Sequence, residues 1–310
     1  MEVIAHRGAS GYLPEHTLPA KALAHAMGAD YLEQDVVASR DGQLVVLHDI
    51  HVDRVTDVAE RFPARCRDDG RYYAIDFTMD ELRTLTVNER CNADGKAVYP
   101  NRYPVEKNNF RLHTLDEEIR FIRGLNRSTG RSAGIYPEIK KPAWHKQEGI
   151  DLSVAVIETL LAHGYRSAED PVYLQCFDAA ETRRIRVELQ CDMKLVQLIG
   201  ENSWNESATN YDALRTGAGL QMLLKYADAV GPRIQHLYSL DASGTPVASQ
   251  FALAVRSSGI ACHPYTLRAD ELPAGFKDVA TLVTFLQKEA RVNGVFADHP
   301  DLAKVAINRR

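Results

Sequence analysis

The 310-residue chain lacks several features that would each have pointed to a definite class of protein. It has no run approaching about 18 apolar residues, so no segment is expected to span a membrane. With 37 Lys and Arg against 42 Asp and Glu, its net charge is only −5. That balance gives no general positive field, and we therefore expect no nucleic-acid partner.

Cysteines are also few, and their five positions contain no C-x-x-C spacing. An odd number without that spacing argues against a zinc cluster and against a full disulfide framework. Cys66 and Cys91 share one loop-rich segment and could form a disulfide. The alternative is that such residues are small buried apolar groups.

The chain does contain short apolar runs that alternate with helical patterns. A length of 310 residues with 45% hydrophobic residues allows either one large α/β barrel or two ordinary domains. Thr17 is a candidate helix cap, and Thr114 with Glu117 forms a candidate capping box. Alternation of this kind predicts a parallel sheet closed by helical crossovers. The strand candidates are residues 3–6, 31–37, 44–48, 135–140, 172–177, 195–199, 227–231, 260–265 and 294–298.

The second and third runs are too close together for a parallel connection, so they are expected to form a hairpin. Asp41-Gly42 between them is typical of a two-residue turn. Such a turn would place Asp35 opposite His48. Without the hairpin's return arm, eight parallel strands remain, the number of a TIM-type (β/α)8 barrel.

A stretch rich in Arg, Asp and Tyr, at about residues 52–112, interrupts this alternation. Loops this long inside a compact domain are usually functional or form a subdomain. A barrel of about 250 residues plus this stretch accounts for the full length. We therefore predict one domain over residues 1–310, with a small insertion subdomain after the early hairpin strand.

Three carboxylates, those of Glu33, Asp35 and Glu138, stand at or near the carboxyl ends of predicted strands. In this barrel those ends face the active-site mouth. Three ionised carboxylates would repel one another there, and a bound cation resolves the repulsion. An all-oxygen ligand set suits Ca²⁺ or Mg²⁺. The alternative is a solvated rim of salt bridges with Arg7 and Lys140.

Two histidines stand at comparable positions, His6 at the end of the first strand candidate and His48 at the end of the hairpin. One could act as a base and the other as an acid in a single reaction. Arg7 and Lys140 offer charge-assisted hydrogen bonds to phosphate oxygens. The set fits phosphodiester cleavage, although either histidine alone could be an ordinary hydrogen-bonded residue.

Three further residues are candidates for binding the substrate. His16 lies between a glycine-bearing loop and a predicted helix N-terminus, where an anion could bind. Phe177 and Tyr265 end predicted strands and could form walls of a substrate pocket. The alternative is a capped turn for His16 and ordinary packing for the two aromatic residues.

In order and spacing, several motifs together resemble the glycerophosphodiester phosphodiesterases. Asp53 to Asp57 and the long interruption are similar to the longer, periplasmic GlpQ-type branch of that family. The resemblance covers nearly the whole chain and is weakest at about residues 200–220. The motifs are His6-Arg7-Gly8-Ala9, Pro14-Glu15-His16-Thr17-Leu18, residues 28–36, Asp41-Gly42 to His48-Asp49, Pro137-Glu138-Ile139-Lys140 and His263-Pro264-Tyr265-Thr266.

This resemblance implies a TIM-type barrel that hydrolyses diesters such as glycerophosphocholine and glycerophosphoethanolamine to sn-glycerol 3-phosphate and an alcohol (EC 3.1.4.46). It implies a divalent ion, Ca²⁺ with Mg²⁺ as the alternative, on Glu33, Asp35 and Glu138. It also implies that His6 and His48 form the acid–base pair. The sequence does not assign the two roles, and our expectation is His6 as base and His48 as acid. The neighbouring glycerol hydroxyl would attack first, giving a cyclic phosphate that water then opens.

The resemblance also implies a periplasmic location, with the leader absent from this sequence, and the cytoplasm is the alternative. Two other functions stay open. One is a lysophospholipase D-like phosphodiesterase that acts on larger lipids. The other is a binding protein that keeps the fold without turnover.

Overall fold

Eight parallel strands form a nearly closed barrel in the computed structural model, which describes residues 1–106 and 108–309. Every one of the nine predicted runs contains a strand. The strands are β1 (Glu2–Ala5), β2 (Tyr31–Ala38), β3 (Leu44–Val46), β4 (Gly134–Ile139), β5 (Tyr173–Cys176), β6 (Lys194–Ile199), β7 (Ala229–Pro232), β8 (Tyr238–Leu240), β9 (Pro246–Ala248), β10 (Ala261–Cys262) and β11 (Gly294–Ala297).

Around the barrel the strand order is β10, β7, β6, β5, β4, β2, β1, β11. The chain that follows β10 bridges the remaining gap to β11. There the Leu267 amide donates to the carbonyl of Phe296 at 2.8 Å, and the Phe296 amide donates to the carbonyl of Pro264 at 3.0 Å. The predicted barrel is therefore confirmed. The short antiparallel pair β8–β9 was not predicted.

Helices connect the strands and cover the outside of the barrel. The predicted caps are present: Thr17 accepts from the amide of Ala20, and Thr114 and Glu117 form the reciprocal capping box. The helices are α1 (Leu18–Ala26), α2 (Val58–Arg61), α3 (Met79–Thr84), α4 (Leu115–Thr129), α5 (Pro142–Gln147), α6 (Leu152–Ala162), α7 (Ala179–Val187), α8 (Tyr211–Leu214), α9 (Gly217–Leu223), α10 (Gln250–Ser258), α11 (Val279–Phe285) and α12 (Pro300–Asn308). None of the described helices combines the length and the hydropathy needed to cross a membrane.

The hairpin between β2 and β3 forms, but its predicted register is wrong by one residue. Val36 pairs with Val46 and Ala38 with Leu44, so Asp35 lies opposite Leu47 rather than His48. The reason is the turn. Gly42 alone has a positive φ, of 73°, and Ser39 donates its amide to the carbonyl of Gln43. The loop therefore has three residues, 40–42, a known alternative for an Asp-Gly sequence.

The stretch predicted as an insertion subdomain contains α2, α3 and two 3₁₀ turns. An apolar cluster of its own packs it against β3 and against the face of β2 that also carries Glu33 and Asp35. That cluster joins Val37 and Val45 to Tyr72, Phe77 and Leu82. Its amphipathic pieces are too short to be stable alone, so this packing holds the segment over the barrel.

All five cysteines are free thiols, so the hypothesis that Cys66 pairs with Cys91 is wrong. Cys66 is exposed, and the thiol of Cys91 faces the carbonyl of Glu89 in the same segment at 3.4 Å. Cys176, Cys191 and Cys262 are buried among apolar side chains, as the alternative interpretation supposed.

Aromatic side chains fill the barrel below the carboxyl ends of the strands. Tyr136 stacks on Tyr173 at 4.8 Å between ring centroids and meets Phe296 edge-on at 5.0 Å. The phenol of Tyr136 also shares a hydrogen bond of 2.8 Å with Nδ1 of His263. The barrel is therefore a packed core rather than a pore, closed by this layer below the carboxyl ends of the strands.

Candidate active site

The carboxyl ends of the strands surround a cavity of about 270 Å³. Nine of the ten residues predicted for the site line it, and only His16 does not. The lining comprises His6, Arg7, Glu33, Asp35, His48, Glu138, Lys140, Gln175, Phe177, Leu198, Trp204, Glu206, Tyr265, Thr266, Arg268 and Phe296.

Glu33, Asp35 and Glu138 form a buried acidic triad at one wall of this cavity. Glu33 and Asp35 share a face of β2 because side chains alternate along a strand. The parallel register sets Asp35 beside Glu138 on β4. One carboxylate oxygen from each residue lies within 4.8 Å of the others.

The triad fits a hard divalent cation. Asp35 Oδ1 is buried and has no hydrogen-bond partner among the described residues. Lys140 Nζ lies 3.8 Å from this oxygen, too far for a hydrogen bond. Three carboxylates with an unsatisfied oxygen offer the all-oxygen ligand set that Ca²⁺ and Mg²⁺ take.

The pKa values of the three acids also favour a bound cation. Burial, followed by the charges of the other two acids, raises the pKa of Glu138 well above its usual range. Burial likewise raises the pKa of Glu33. Burial also opposes ionisation of Asp35, but Lys140 and His48 hold the pKa of Asp35 well below its usual range. A bound cation would lower the pKa of all three acids.

Arg7 and Lys140 bring positive charge to the same wall. Lys140 donates to Glu138 at 2.7 Å. Burial alone would lower the pKa of Lys140, but the negative charge of Glu138 outweighs this effect and raises that pKa. Arg7 has a left-handed backbone, with φ 58°, and its amide donates to Glu33 at 2.7 Å. The Nε of Arg7 is buried without a hydrogen-bond acceptor in the described part of the chain. An anionic ligand would satisfy this donor.

Each cavity histidine is held by an aspartate through Nδ1. His6 Nδ1 lies 2.6 Å from Asp298, and His48 Nδ1 lies 2.7 Å from Asp49. The carboxylate fixes the orientation of the ring and leaves Nε2 as the nitrogen available to a ligand. Both histidines line the cavity that holds the acidic triad.

The two supporting aspartates are ionised. Burial disfavours the charge on Asp298, but His6 and Arg268 lower its pKa strongly. Asp49 has its pKa held well below the usual range by His48 and Arg90, again against burial. Burial, together with the charges of Arg7 and Lys140, lowers the pKa of His48 to about 4. The His48 ring is therefore neutral at pH 7 before a ligand binds.

His16 lies behind the cavity rather than in it. Its Nε2 contacts Asp35 Oδ2 at 2.7 Å, and its Nδ1 lies 3.3 Å from Nζ of Lys21. Burial and Lys21 lower the pKa of His16 to about 3. We predicted that His16 binds substrate directly. In the structure the Asp35 side chain lies between His16 and the cavity, so His16 does not face the substrate site.

Sequence reasoning did not identify several residues that support the site. Asp298 ends the predicted strand run 294–298, and Asp49 directly follows His48. Both are charged residues at the end of a predicted strand, so the pattern that indicated the other site residues could have indicated these two. Arg90 had no such signal, since it lies in the long interruption and reaches Glu15 at 2.6 Å and Asp49 at 2.6 Å only in the folded chain. Trp204, which ends a short 3₁₀ turn, and Arg268, which lies in a loop, also line the cavity.

Comparison with known proteins identifies relatives across nearly the whole chain. The model of the glycerophosphoryl diester phosphodiesterase family matches residues 6–302. A glycerophosphodiester phosphodiesterase of Haemophilus influenzae is 45% identical, over 96% of this chain and 87% of its own length. One from Treponema pallidum is 40% identical, over 97% of this chain and 90% of its own length.

A solved structure shares the fold. It is an Oleispira antarctica phosphodiesterase in complex with the product sn-glycerol-3-phosphate, with a TM-score of 0.67 and 19% identity. The match covers 100% of this chain and 97% of the other.

Proposed function

Because the chain belongs to the glycerophosphoryl diester phosphodiesterase family, we propose that it hydrolyses glycerophosphodiesters by histidine acid–base catalysis at a carboxylate-bound cation. The products would be sn-glycerol 3-phosphate and an alcohol. One observation carries the proposal: two aspartate-held histidines and three clustered carboxylates line the same cavity. The product bound to the Oleispira antarctica relative supports the same substrate class.

Glu33, Asp35 and Glu138 are the residues that would hold the cation, with Ca²⁺ expected and Mg²⁺ as the alternative. When bound, such an ion supplies Lewis acidity toward the phosphoryl group. Arg7 and Lys140 would bind phosphoryl oxygens, since both present buried positive charge at the same wall. Phe177 and Tyr265 would form the apolar side of the glycerol site.

The protons would move through the Nε2 atoms of His48 and His6. The sequence-based expectation had His6 as base and His48 as acid. The low pKa of His48 favours the reverse order, because a neutral ring can accept the proton of the attacking glycerol hydroxyl. His6, beside the ionised carboxylate of Asp298, would then protonate the leaving alcohol, and a cyclic phosphate would result. Water would open this ring in a second step, giving a proton to His6 while His48 returns its proton to the glycerol oxygen, so that both rings regain their starting states. We propose this reverse order.

Steady-state hydrolysis of glycerophosphocholine tests the proposal, with sn-glycerol 3-phosphate measured by a coupled dehydrogenase. His6→Ala and His48→Ala should each lower kcat by about 10²- to 10⁴-fold, which is the usual contribution of a general acid or base. His163→Ala is the matched control, because that histidine contacts Asp116 on the outside of the barrel. Turnover at the wild-type rate in either cavity variant would contradict the assignment.

A further inference from the structure

A second chamber of about 200 Å³ adjoins the cavity already described. The two share His6, Arg7, His48 and Arg268 in their linings. A phosphodiester carries two ester groups, one on each side of its phosphorus. If the phosphate lies at the shared residues, the two chambers can hold the two groups.

We assign the glycerol to the first cavity, because the acidic triad that would hold the cation lies at the wall of that cavity. The second chamber is then left for the leaving alcohol. Most of its distinct wall comes from the long segment between β3 and α4, which contributes Glu89, Arg90, Val98, Tyr99 and Arg102. This assignment rests on the proposed function.

Paired charges line the second chamber, with one exception. Each of its four arginines contacts at least one carboxylate. The pairs are Arg7–Glu15 at 2.9 Å, Arg90–Asp49 at 2.6 Å, Arg102–Asp270 at 2.8 Å and Arg268–Asp298 at 3.0 Å.

The exception is the carboxyl group of Glu89. The residue is only 4% exposed, and its Oε2 has no hydrogen-bond partner within residues 1–106 and 108–309. Burial, followed by the charge of Glu15, raises the pKa of Glu89 to about 7. A buried acceptor without a donor costs free energy, and a ligand that brings a donor recovers it.

The aromatic residue in this chamber limits which cations fit. Tyr99 has Arg102 at 3.7 Å from its ring centroid and Arg268 at 5.6 Å. The ring is therefore already engaged by two guanidinium groups and offers no open cage for a quaternary ammonium. A ligand with N–H donors can bind the carboxylate directly.

We propose that Glu89 is a specificity-determining residue that binds the primary ammonium of an amino-alcohol leaving group, as in an ethanolamine diester. The carboxylate of Glu89 makes a charge-assisted hydrogen bond to that ammonium. Diesters with neutral alcohols lack this contact and gain nothing from it.

The test is a ratio of kcat/KM values for the full chain with Ca²⁺. The substrates are glycerophosphoethanolamine and glycerophosphoglycerol, whose alcohol is neutral. Glu89→Gln should lower the ethanolamine-to-glycerol ratio by about ten- to a hundredfold, the effect of losing one charge-assisted hydrogen bond. Asp94→Asn is the control, because it removes one exposed negative charge from the same segment. It should keep the wild-type ratio.

Further variants and substrates distinguish the loss of a specific contact from a general disturbance of the site. Glu89→Asp retains the charge and should keep more of the preference than Glu89→Gln. Glycerophosphocholine, which has no N–H donor, should lose less than the ethanolamine diester in Glu89→Gln. An unchanged ratio, or equal losses for ethanolamine and choline diesters, would overturn this inference alone. Wild-type protein that hydrolyses none of these diesters would overturn the proposed function with it.

Discussion

At the scale of single residues, the aspartate behind each histidine decides what the ring can do. Asp298→Asn replaces the carboxylate that orients His6 with a neutral amide, whose NH2 group can donate to Nδ1 and favour the other tautomer. We expect kcat to fall by about 100-fold or more, because the ring loses its fixed tautomer and the stabilisation of its protonated form. The measurement is kcat at saturating substrate, with circular dichroism to check folding. A fall smaller than about threefold would exclude this role.

We expect His16 to position Asp35, which it contacts at 2.7 Å, rather than to touch substrate. His16→Ala should weaken cation binding by about 10- to 100-fold, the usual effect of removing a hydrogen bond to a metal ligand. Calorimetric titration with Ca²⁺ measures this affinity directly. His16→Gln retains an amide donor and should recover part of the loss. Equal Ca²⁺ affinity in the alanine variant and the wild type would contradict the positioning role.

At the scale of elements, the strands were predictable and the hairpin register was not. Each strand is a short apolar run, and the eight parallel ones follow from the spacing between runs. Asp41-Gly42 correctly marks the turn, but the same dipeptide fits both a two-residue and a three-residue loop. His48 still reaches the cavity, because it lies beyond the last paired residue of β3, Val46.

The aromatic layer inside the barrel predicts a pH dependence of stability. Burial and the charge of Lys194 lower the pKa of His263 to about 3, so the folded chain keeps this ring neutral. An unfolded histidine takes up a proton below about pH 6.5. The unfolded state then binds more protons, and stability falls as the pH falls from about 6.5 toward 3.

His263→Asn removes this titration. The variant loses the hydrogen bond to Tyr136 and is less stable at pH 7. From pH 7 to pH 5.5, the difference in unfolding free energy between variant and wild type should shrink by about 1 kcal/mol. Urea unfolding at the two pH values measures it, and a constant difference would show that His263 is not the titrating group.

At the scale of the whole molecule, the candidate site is assembled from parts that are far apart in sequence. The triad and the two histidines were predictable because parallel strands end at one face of a barrel. The residues that surround them, such as Arg90 and Glu89, were not predictable. They lie in a segment without hydrophobic periodicity, which folds only by packing on β2 and β3. Glu15 and Arg90 are 75 residues apart and meet at 2.6 Å through that packing.

Cation binding should therefore stabilise the entire fold and not only the cavity. The triad lies on β2 and β4, which pair over six residues at the centre of the barrel wall. An ion that binds only the folded chain adds about 2.7 kcal/mol to the unfolding free energy at 100 times its Kd. We expect Ca²⁺ to raise the Tm relative to a chelator, and Glu138→Gln to remove most of that rise. If the variant responds to Ca²⁺ as the wild type does, the ion binds elsewhere on this net acidic surface, and the triad is not its site.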